Sequence, residues 1–139
     1  MPIVAVVADA NVLLSAIVGK AALRVFTDFA VTVHATRFNA DEVEEYLPRL
    51  SSKYKLPEAL VLLQWRLLAV SLHPEDAYVE HLAEARSRLA ERDPDDAHPL
   101  GLAMKLGLPL WSNDRDLDGH EIPVYTTARL LRILEQAET

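Results

Sequence analysis

Cysteine is absent from this chain of 139 residues. Without a thiol there can be no disulfide framework, no thiolate nucleophile and no cysteine-ligated zinc or iron–sulfur site. Glycine is scarce, and its four residues are scattered, which argues against the Gly-rich phosphate loop that a nucleotide-binding or phosphoacceptor module would need. No stretch approaches the roughly 18 uninterrupted apolar residues of a membrane span, and Met1–Ala8 lacks the features of a signal peptide. We therefore expect a soluble, cytoplasmic protein without a membrane segment.

Basic residues are outnumbered by acidic ones, 14 to 21, which gives a formal net charge of −7. This balance is the opposite of the basic footprint usual in a nucleic-acid binder. Several of the acids are expected to share one pocket, however, and the rest of the chain is then nearly balanced. Ten of the basic residues are Arg, whose planar guanidinium suits bidentate phosphate contact.

Hydrophobic patterning alternates between short apolar runs and helical segments. Residues 3–8 form a run of β-branched and small apolar residues with little alternation, typical of a strand covered on both faces in a parallel sheet. Further strands are predicted at 31–35, 109–112 and 123–125. Helices are predicted at 12–18, 21–30, 40 to about 50, 57–70, 75–90, 97–106 and 128–137, the last capped by Thr126 or Thr127.

This alternation of strands and helices predicts right-handed βαβ crossovers and an α/β fold of three layers, with a central, mainly parallel sheet flanked by helices. In such sheets ligands bind at the carboxyl ends of the strands. Because no repeat or flexible linker divides the sequence, residues 1–139 are expected to form a single domain.

The predicted helix at 57–70 is apolar on nearly all of its faces, more than one core contact requires. The surplus apolar surface could form the interface of a homodimer. Alternatively, the helix could lie between two others of the same chain, and the sequence leaves both arrangements open.

Acidic side chains follow two of the predicted strands. Asp9 comes directly after the first strand, where it could face a functional crevice or cap the next helix together with Asn11. Asp114 and Asp116 follow the strand at 109–112. Their spacing allows both carboxylates to reach one cation, although taken alone an Asx-rich turn is the simpler interpretation.

Three further acids, Asp93, Asp95 and Asp96, precede the helix predicted at 97–106. Capping and the helix dipole account for one or two of them. Adjacent like charges repel by roughly 1 to 4 kcal/mol near contact, so a cation could offset the repulsion among the three.

Glu42 lies three residues after Asn39, the spacing of a capping box in which the glutamate reaches back to its own helix start. A catalytic role for Glu42 is the other interpretation. Glu44 and Glu45 are alternative candidates on neighbouring faces of the helix.

Taken in order, these segments resemble the PIN-domain nucleases, a family of metal-dependent ribonucleases that includes the toxins of VapBC-type toxin–antitoxin pairs. The first matching part is a strand that ends in D-x-N, here Asp9 to Asn11, followed by apolar residues. The second is Glu42 opening a helix, with Val43 next to it. The remaining parts are the run RDPDDAHPLGLAMKLGLPLWSNDRDL and the closing VYTTARLLRIL.

The resemblance implies a three-layer PIN-like fold and a set of functional residues. The implied catalytic residues are Asp9, Glu42, Asp96 and Asp114, with Asp116 as an additional or alternative carboxylate and Ser112 as a hydroxyl that orients a water or holds a carboxylate. The implied ligands of Mg²⁺ or Mn²⁺, which prefer carboxylate oxygens, are Asp9, Asp96, Asp114 and Asp116. Weaker candidates for contact with the substrate are Asn11, Arg37 and Arg115.

The function implied by the resemblance is a metal-dependent endoribonuclease that hydrolyses RNA phosphodiester bonds and leaves a 5′-phosphate and a 3′-hydroxyl. Such a protein could be the toxin of a toxin–antitoxin pair, with RNA and a small antitoxin protein as partners and a homodimer as its assembly. The alternative is a PIN-fold module that binds RNA or protein and has latent or no nuclease activity. A short upstream reading frame encoding a DNA-binding antitoxin would favour the toxin.

Overall fold

The computed structural model describes residues 2–89, 94–114 and 122–138. Its strands are β1 (Ala5–Ala8), β2 (Thr32–Thr36), β3 (Val70–His73), β4 (Leu110–Trp111) and β5 (Val124–Tyr125). They form one parallel sheet in the order β3-β2-β1-β4-β5. The helices are α1 (Ala10–Ile17), α2 (Leu23–Thr27), α3 (Arg37–Tyr54), α4 (Glu58–Leu67), α5 (Val79–Arg88), α6 (Ala97–Leu106) and α7 (Thr127–Ala137). Short 3-10 turns cover Glu75–Ala77 and Pro94–Asp96.

The central strand, β1, is covered on both faces, as its sequence predicts. Val6 and Ala8 are fully buried in one apolar cluster, while Val7, which points the opposite way, is fully buried in the other. Successive residues of a strand face opposite sides of the sheet. Both faces must therefore be apolar, which explains why β1 has no alternating pattern.

Helices pack on both faces of the sheet. One cluster joins α1, α3, α4 and α7 to the sheet, with Leu13, Val43, Trp65 and Leu130 among its buried members. The other joins α5 and α6 to the opposite face. The predicted α/β architecture of three layers is confirmed.

The helix predicted at 57–70 is shorter than expected, and a strand follows it. Helix α4 ends at Leu67, and β3 begins at Val70 and pairs in parallel with β2 at the sheet edge. The sequence pattern did not reveal this strand because the apolar run continues across the junction without a Gly or Pro, and an apolar run alone does not distinguish helix from strand. Leu68, with ψ 126°, is where the backbone becomes extended.

Helix α3 is longer than the predicted 40 to about 50 at both ends. Its N-cap is Thr36, whose Oγ1 accepts a hydrogen bond from the Asn39 backbone N–H at 2.9 Å. Pro48 lies inside the helix and removes one of its hydrogen bonds. The helix continues to Tyr54 because its apolar face is buried on both sides of the proline, at Val43, Leu47 and Leu50.

The other predicted elements are found near their expected positions. The helix predicted at 75–90 begins as a 3-10 turn and continues as α5, and residue 90 lies outside the described residues. Thr126 caps α7 by accepting a hydrogen bond from the Arg129 N–H. Within the described ranges, no helix is both long and apolar enough to cross a bilayer.

The strand order creates a switch point beside β1. The chain goes from β1 to β2 and β3 on one side of the sheet, then places β4 and β5 on the other side. Ligand sites of open parallel sheets lie at the carboxyl ends of the strands where the order reverses. In this chain Asp9 follows β1 and Ser112 follows β4 at that point.

Candidate active site

Asp9 and Asp114 are joined through the hydroxyl of Ser112. The Ser112 Oγ donates a hydrogen bond to Asp9 Oδ2 at 2.5 Å, and the Asp114 backbone N–H donates to the same Oγ at 3.0 Å. The strand ends are held in register, since the Asp9 N–H donates to the Trp111 carbonyl at 3.3 Å. Two acids separated by more than a hundred residues of sequence therefore meet at the switch point.

The Asp9 carboxylate is nearly enclosed, with 9% of the residue exposed. Burial raises its pKa above the ordinary value, and the neighbouring charge of Asp114 raises it further, although hydrogen bonds from Ser112 and the Val12 N–H act in the opposite direction. The bond from Val12, at 3.1 Å to Oδ1, is also the N-cap of α1. Asp9 thus caps the helix with one oxygen and faces Ser112 with the other.

Glu42 is held by Asn39. The Asn39 side-chain amide donates to Glu42 Oε1 at 2.7 Å, while Thr36 Oγ1 donates to the Asn39 carbonyl oxygen at 2.8 Å. Because Thr36 is the N-cap of α3, Glu42 lies too far along the helix for the capping box considered from the sequence. Its half-buried side chain instead lines a cavity between α1 and α3 together with Asn11.

The three glutamates of α3 face different neighbouring helices. Glu44 accepts a hydrogen bond from the Trp65 indole N–H at 3.2 Å and therefore faces α4. Glu45 lines the same cavity as Glu42. Of the three candidates, Glu42 and Glu45 face α1.

Asp96 lies at the start of α6 and makes no side-chain capping hydrogen bond to that helix. Two residues later, the His98 ring stacks on Phe38, with the ring centroids 3.9 Å apart and the planes 5° apart. Phe38 belongs to the first turn of α3. The N-termini of α3 and α6 therefore lie side by side at the carboxyl edge of the sheet, and Asp96 is placed near that edge.

A buried polar chain links α6 to Glu42. The Tyr78 hydroxyl lies 2.8 Å from His98 Nδ1 and also interacts with the Thr36 side chain, which holds Asn39. Burial raises the pKa of Tyr78 to about 12, so its phenol stays protonated. The sequence does not identify Thr36, Asn39 and Tyr78 as supporting residues. The spacing between Asn39 and Glu42 is a signal for Asn39 alone.

The structure does not bring the remaining described candidate residues into one cluster with Asp9. Among residues 2–89, 94–114 and 122–138, no group of three or more acidic or histidine side chains has the arrangement of a metal site. Arg37 and Asn11 are exposed, at the first turns of α3 and α1. Asp116 and Arg115 lie outside the described residues, as does Asp93.

The paired carboxylates fit a small divalent cation. Mg²⁺ is usually bound through one or two carboxylates, with water and substrate phosphate completing its coordination. Asp9 offers hard carboxylate oxygens there, and the Asp114 carboxylate is close enough for its charge to raise the pKa of Asp9. A cation there would also offset the cost of a buried carboxylate beside a second one.

Comparison with known proteins identifies the family and supports the fold. A family model described as a PIN domain matches residues 7–135. A solved toxin–antitoxin complex from Klebsiella pneumoniae is similar, with TM-score 0.65, 18% identity, and coverage of 88% of this chain and 97% of the other. A crystal structure of a protein from Pyrobaculum aerophilum has TM-score 0.65 and 15% identity, with 96% of this chain and 91% of the other covered. The comparison with curated proteins finds no match.

Proposed function

This chain belongs to the PIN domain family, and we propose that it is a Mg²⁺- or Mn²⁺-dependent endoribonuclease formed by residues 1–139 as one domain. The observation that carries the proposal is the pairing of the buried Asp9 carboxylate with Asp114 through Ser112. This pair lies at the carboxyl ends of β1 and β4, where an open parallel sheet binds its ligand.

Each acid has a distinct part in the proposed reaction. Asp9 and Asp114 would hold the cation, with Asp116 and Asp96 as further ligands, and Ser112 fixes the orientation of the Asp9 carboxylate. When bound, the cation would supply a water of lowered pKa and stabilisation of negative charge on the scissile phosphate. Glu42, positioned by Asn39, orients the attacking water and accepts its proton. The water oxygen bonds to phosphorus as the bond between phosphorus and the 3′ oxygen breaks, and the 3′ oxygen takes up a proton from solvent, giving a 5′-phosphate and a 3′-hydroxyl.

Cleavage of labelled RNAs tests this proposal. The purified protein is incubated with single-stranded and structured RNAs in Mg²⁺, in Mn²⁺ and in EDTA, and the product ends are mapped. We expect cleavage with either metal, none in EDTA, and 5′-phosphate ends. Cleavage that persists in EDTA, or that leaves a 3′-phosphate, would indicate a contaminating ribonuclease. If a preparation without such contamination cuts none of the RNAs, the result contradicts the proposal.

We further propose that the protein acts in the cytoplasm as the toxin of a toxin–antitoxin pair. The similarity to a solved toxin–antitoxin complex supports this role. The partner would be a small antitoxin protein encoded by a short adjacent reading frame. Co-expression of the two should give a complex that purifies together and cleaves RNA more slowly than the free protein, and a neighbouring frame whose product neither binds nor inhibits contradicts the toxin role.

A homodimer through α4 is part of the proposal. Val61 and Trp65 bury one face of this helix, while Leu60, Leu63 and Leu67 are 39%, 51% and 68% exposed. These leucines are spaced by three and four residues, so they share one helix face. Exposed apolar surface of this kind commonly marks an interface.

Replacing Leu63 and Leu67 together by Glu is therefore expected to convert a dimer into a monomer. Introducing two charges into an apolar contact leaves them desolvated and unpaired. Light scattering during size-exclusion chromatography at tens of micromolar protein measures the change, with Val79→Glu as the control, since Val79 is 55% exposed on α5. A monomeric wild type, or a double variant that stays dimeric, would remove the α4 interface.

A further inference from the structure

A cavity of about 650 Å³ runs between α1 and α3, beside the proposed active site. This volume lies within the range of roughly 300–1,000 Å³ found for ligand pockets. Both helices start at the carboxyl edge of the sheet, so the residue order along them gives the distance from that edge. Asn11 and Glu42 line the end near Asp9, and Lys53 and Tyr54 line the far end.

Three cations gather in the distal part of this cavity: Lys20, Arg49 and Lys53. The Nζ atoms of Lys20 and Lys53 lie 5.2 and 5.5 Å from the centre of the Tyr54 ring. The nearby Lys20 ammonium also lowers the pKa of the Tyr54 phenol. Tyr54 therefore contacts both ammonium groups through its ring.

These cations have no acidic partner among the described residues, in contrast to some of the other basic residues of the described chain. Arg24 pairs with Asp28, and Lys105 pairs with Glu80. None of the three cavity cations forms a salt bridge with another described residue. In a chain of net charge −7, a group of cations that form no salt bridge is a binding surface for an anion.

The cavity also has a charge gradient along its length. Glu42 and Glu45 lie on the α3 turns nearer the active site, and Arg49 and Lys53 lie on the later turns. From Glu42 to Lys53 the helix rises about 16 Å, a distance that several consecutive phosphates of one strand cover. A strand whose scissile phosphate lay at Asp9 would place phosphates a few nucleotides further along on the cations.

We propose that this cavity, defined by Lys20, Arg49, Lys53 and Tyr54, binds the single-stranded RNA segment that flanks the cleaved bond. The proposal rests on the endoribonuclease function proposed above. Proteins bind unpaired strands by combining a positive groove for the backbone with aromatic side chains for the bases. Tyr46, which also lines the cavity, provides such an aromatic surface beside the cations.

Binding measured without cleavage tests the proposal. A fluorescently labelled single-stranded oligo(U) RNA is titrated with protein in EDTA, and anisotropy is followed at several salt concentrations. The variant Lys20→Gln/Lys53→Gln is expected to bind about tenfold more weakly than wild type. Its slope of log K against log salt should also be smaller, by about 0.7 for each phosphate that the variant no longer neutralises.

The matched control is Lys105→Gln/Arg132→Gln, which removes the same charge from exposed positions on α6 and α7. It should bind as wild type does. Equal affinity and equal slope for the cavity variant and this control would overturn the proposal. The proposal would also be overturned if the wild type bound the single strand and the same strand in a duplex with equal affinity. Tighter binding of a poly-glutamate peptide than of RNA would overturn it as well.

The outcome is separable from that of the nuclease proposal. The cavity variant keeps Asp9 and Asp114, so it should retain the thermal shift that Mn²⁺ gives the wild type. A wild type that binds oligo(U) through Lys20 and Lys53 yet never cleaves RNA would refute the nuclease function and leave the RNA site standing. A wild type that cleaves RNA while the cavity variant binds unchanged would refute the site alone.

Discussion

Replacing Asp9 by Asn is expected to lower metal-dependent RNA cleavage by more than about 100-fold. Residues that merely support metal ligands typically cost 10–100-fold when mutated, and Asp9 is proposed as a ligand itself. The neutral amide keeps the shape of the side chain but removes the charge that would bind the cation. Initial rates on one labelled RNA with Mn²⁺, compared with Asp41→Asn on the exposed side of α3, measure the effect.

The same variant should remain folded. The pKa of Asp9 is raised mainly by burial, so its ionised form is disfavoured in the folded state, and this cost is present at neutral pH, above the ordinary pKa of the carboxyl. Asn removes the charge, and its side-chain oxygen can still accept the Val12 N–H. Melting in EDTA should therefore show a Tm equal to or above that of wild type. A variant that cuts RNA at the wild-type rate contradicts the ligand assignment, and one that melts well below wild type contradicts the burial argument.

The central part of the fold is readable from the sequence, and its edge is not. Residues 5–8 must be apolar on both faces because β1 is covered on both faces of the sheet. The sequence therefore contains a continuous apolar run at this strand. Edge strand β3 is only half buried and follows α4 after two residues. Its pattern merges with that of the helix, so its existence depends on pairing with β2, which no local signal encodes.

Some residues of the candidate site are also predictable from the sequence, and others are not. Asp9 and Asp114 are predictable because each follows an apolar strand, and strand ends of a parallel sheet meet at one edge. The support of Glu42 by Asn39 depends on where α3 begins. The sequence pattern places that start at residue 40, whereas the Thr36 cap starts the helix at Arg37. The cluster of Lys20 with Lys53 arises only from packing α1 against α3, so a count of charges along the chain could not find it.

Mn²⁺ is expected to raise the Tm of the wild type, and this effect should depend on the carboxylate pair. A ligand that binds only the folded state stabilises it by about 2.7 kcal/mol at a hundredfold excess over Kd, which for a domain of this size is a shift of roughly 10 °C. The physical reason is that the cation replaces the repulsion between Asp9 and Asp114 with attraction to both.

Asp114→Asn separates this effect from general salt screening. With one carboxylate of the pair neutralised, the Mn²⁺-induced shift should fall to a small fraction of the wild-type value, while the Tm in EDTA stays the same or rises because the repulsion of Asp9 is gone. Asp41→Asn removes an equal charge from an exposed position and should keep the full shift. KCl at matched ionic strength should leave all three proteins nearly unchanged, since screening acts on exposed charges without a specific site. An equal Mn²⁺ shift in Asp114→Asn and wild type would place the cation elsewhere on the protein and remove the basis for assigning catalysis to the ends of β1 and β4.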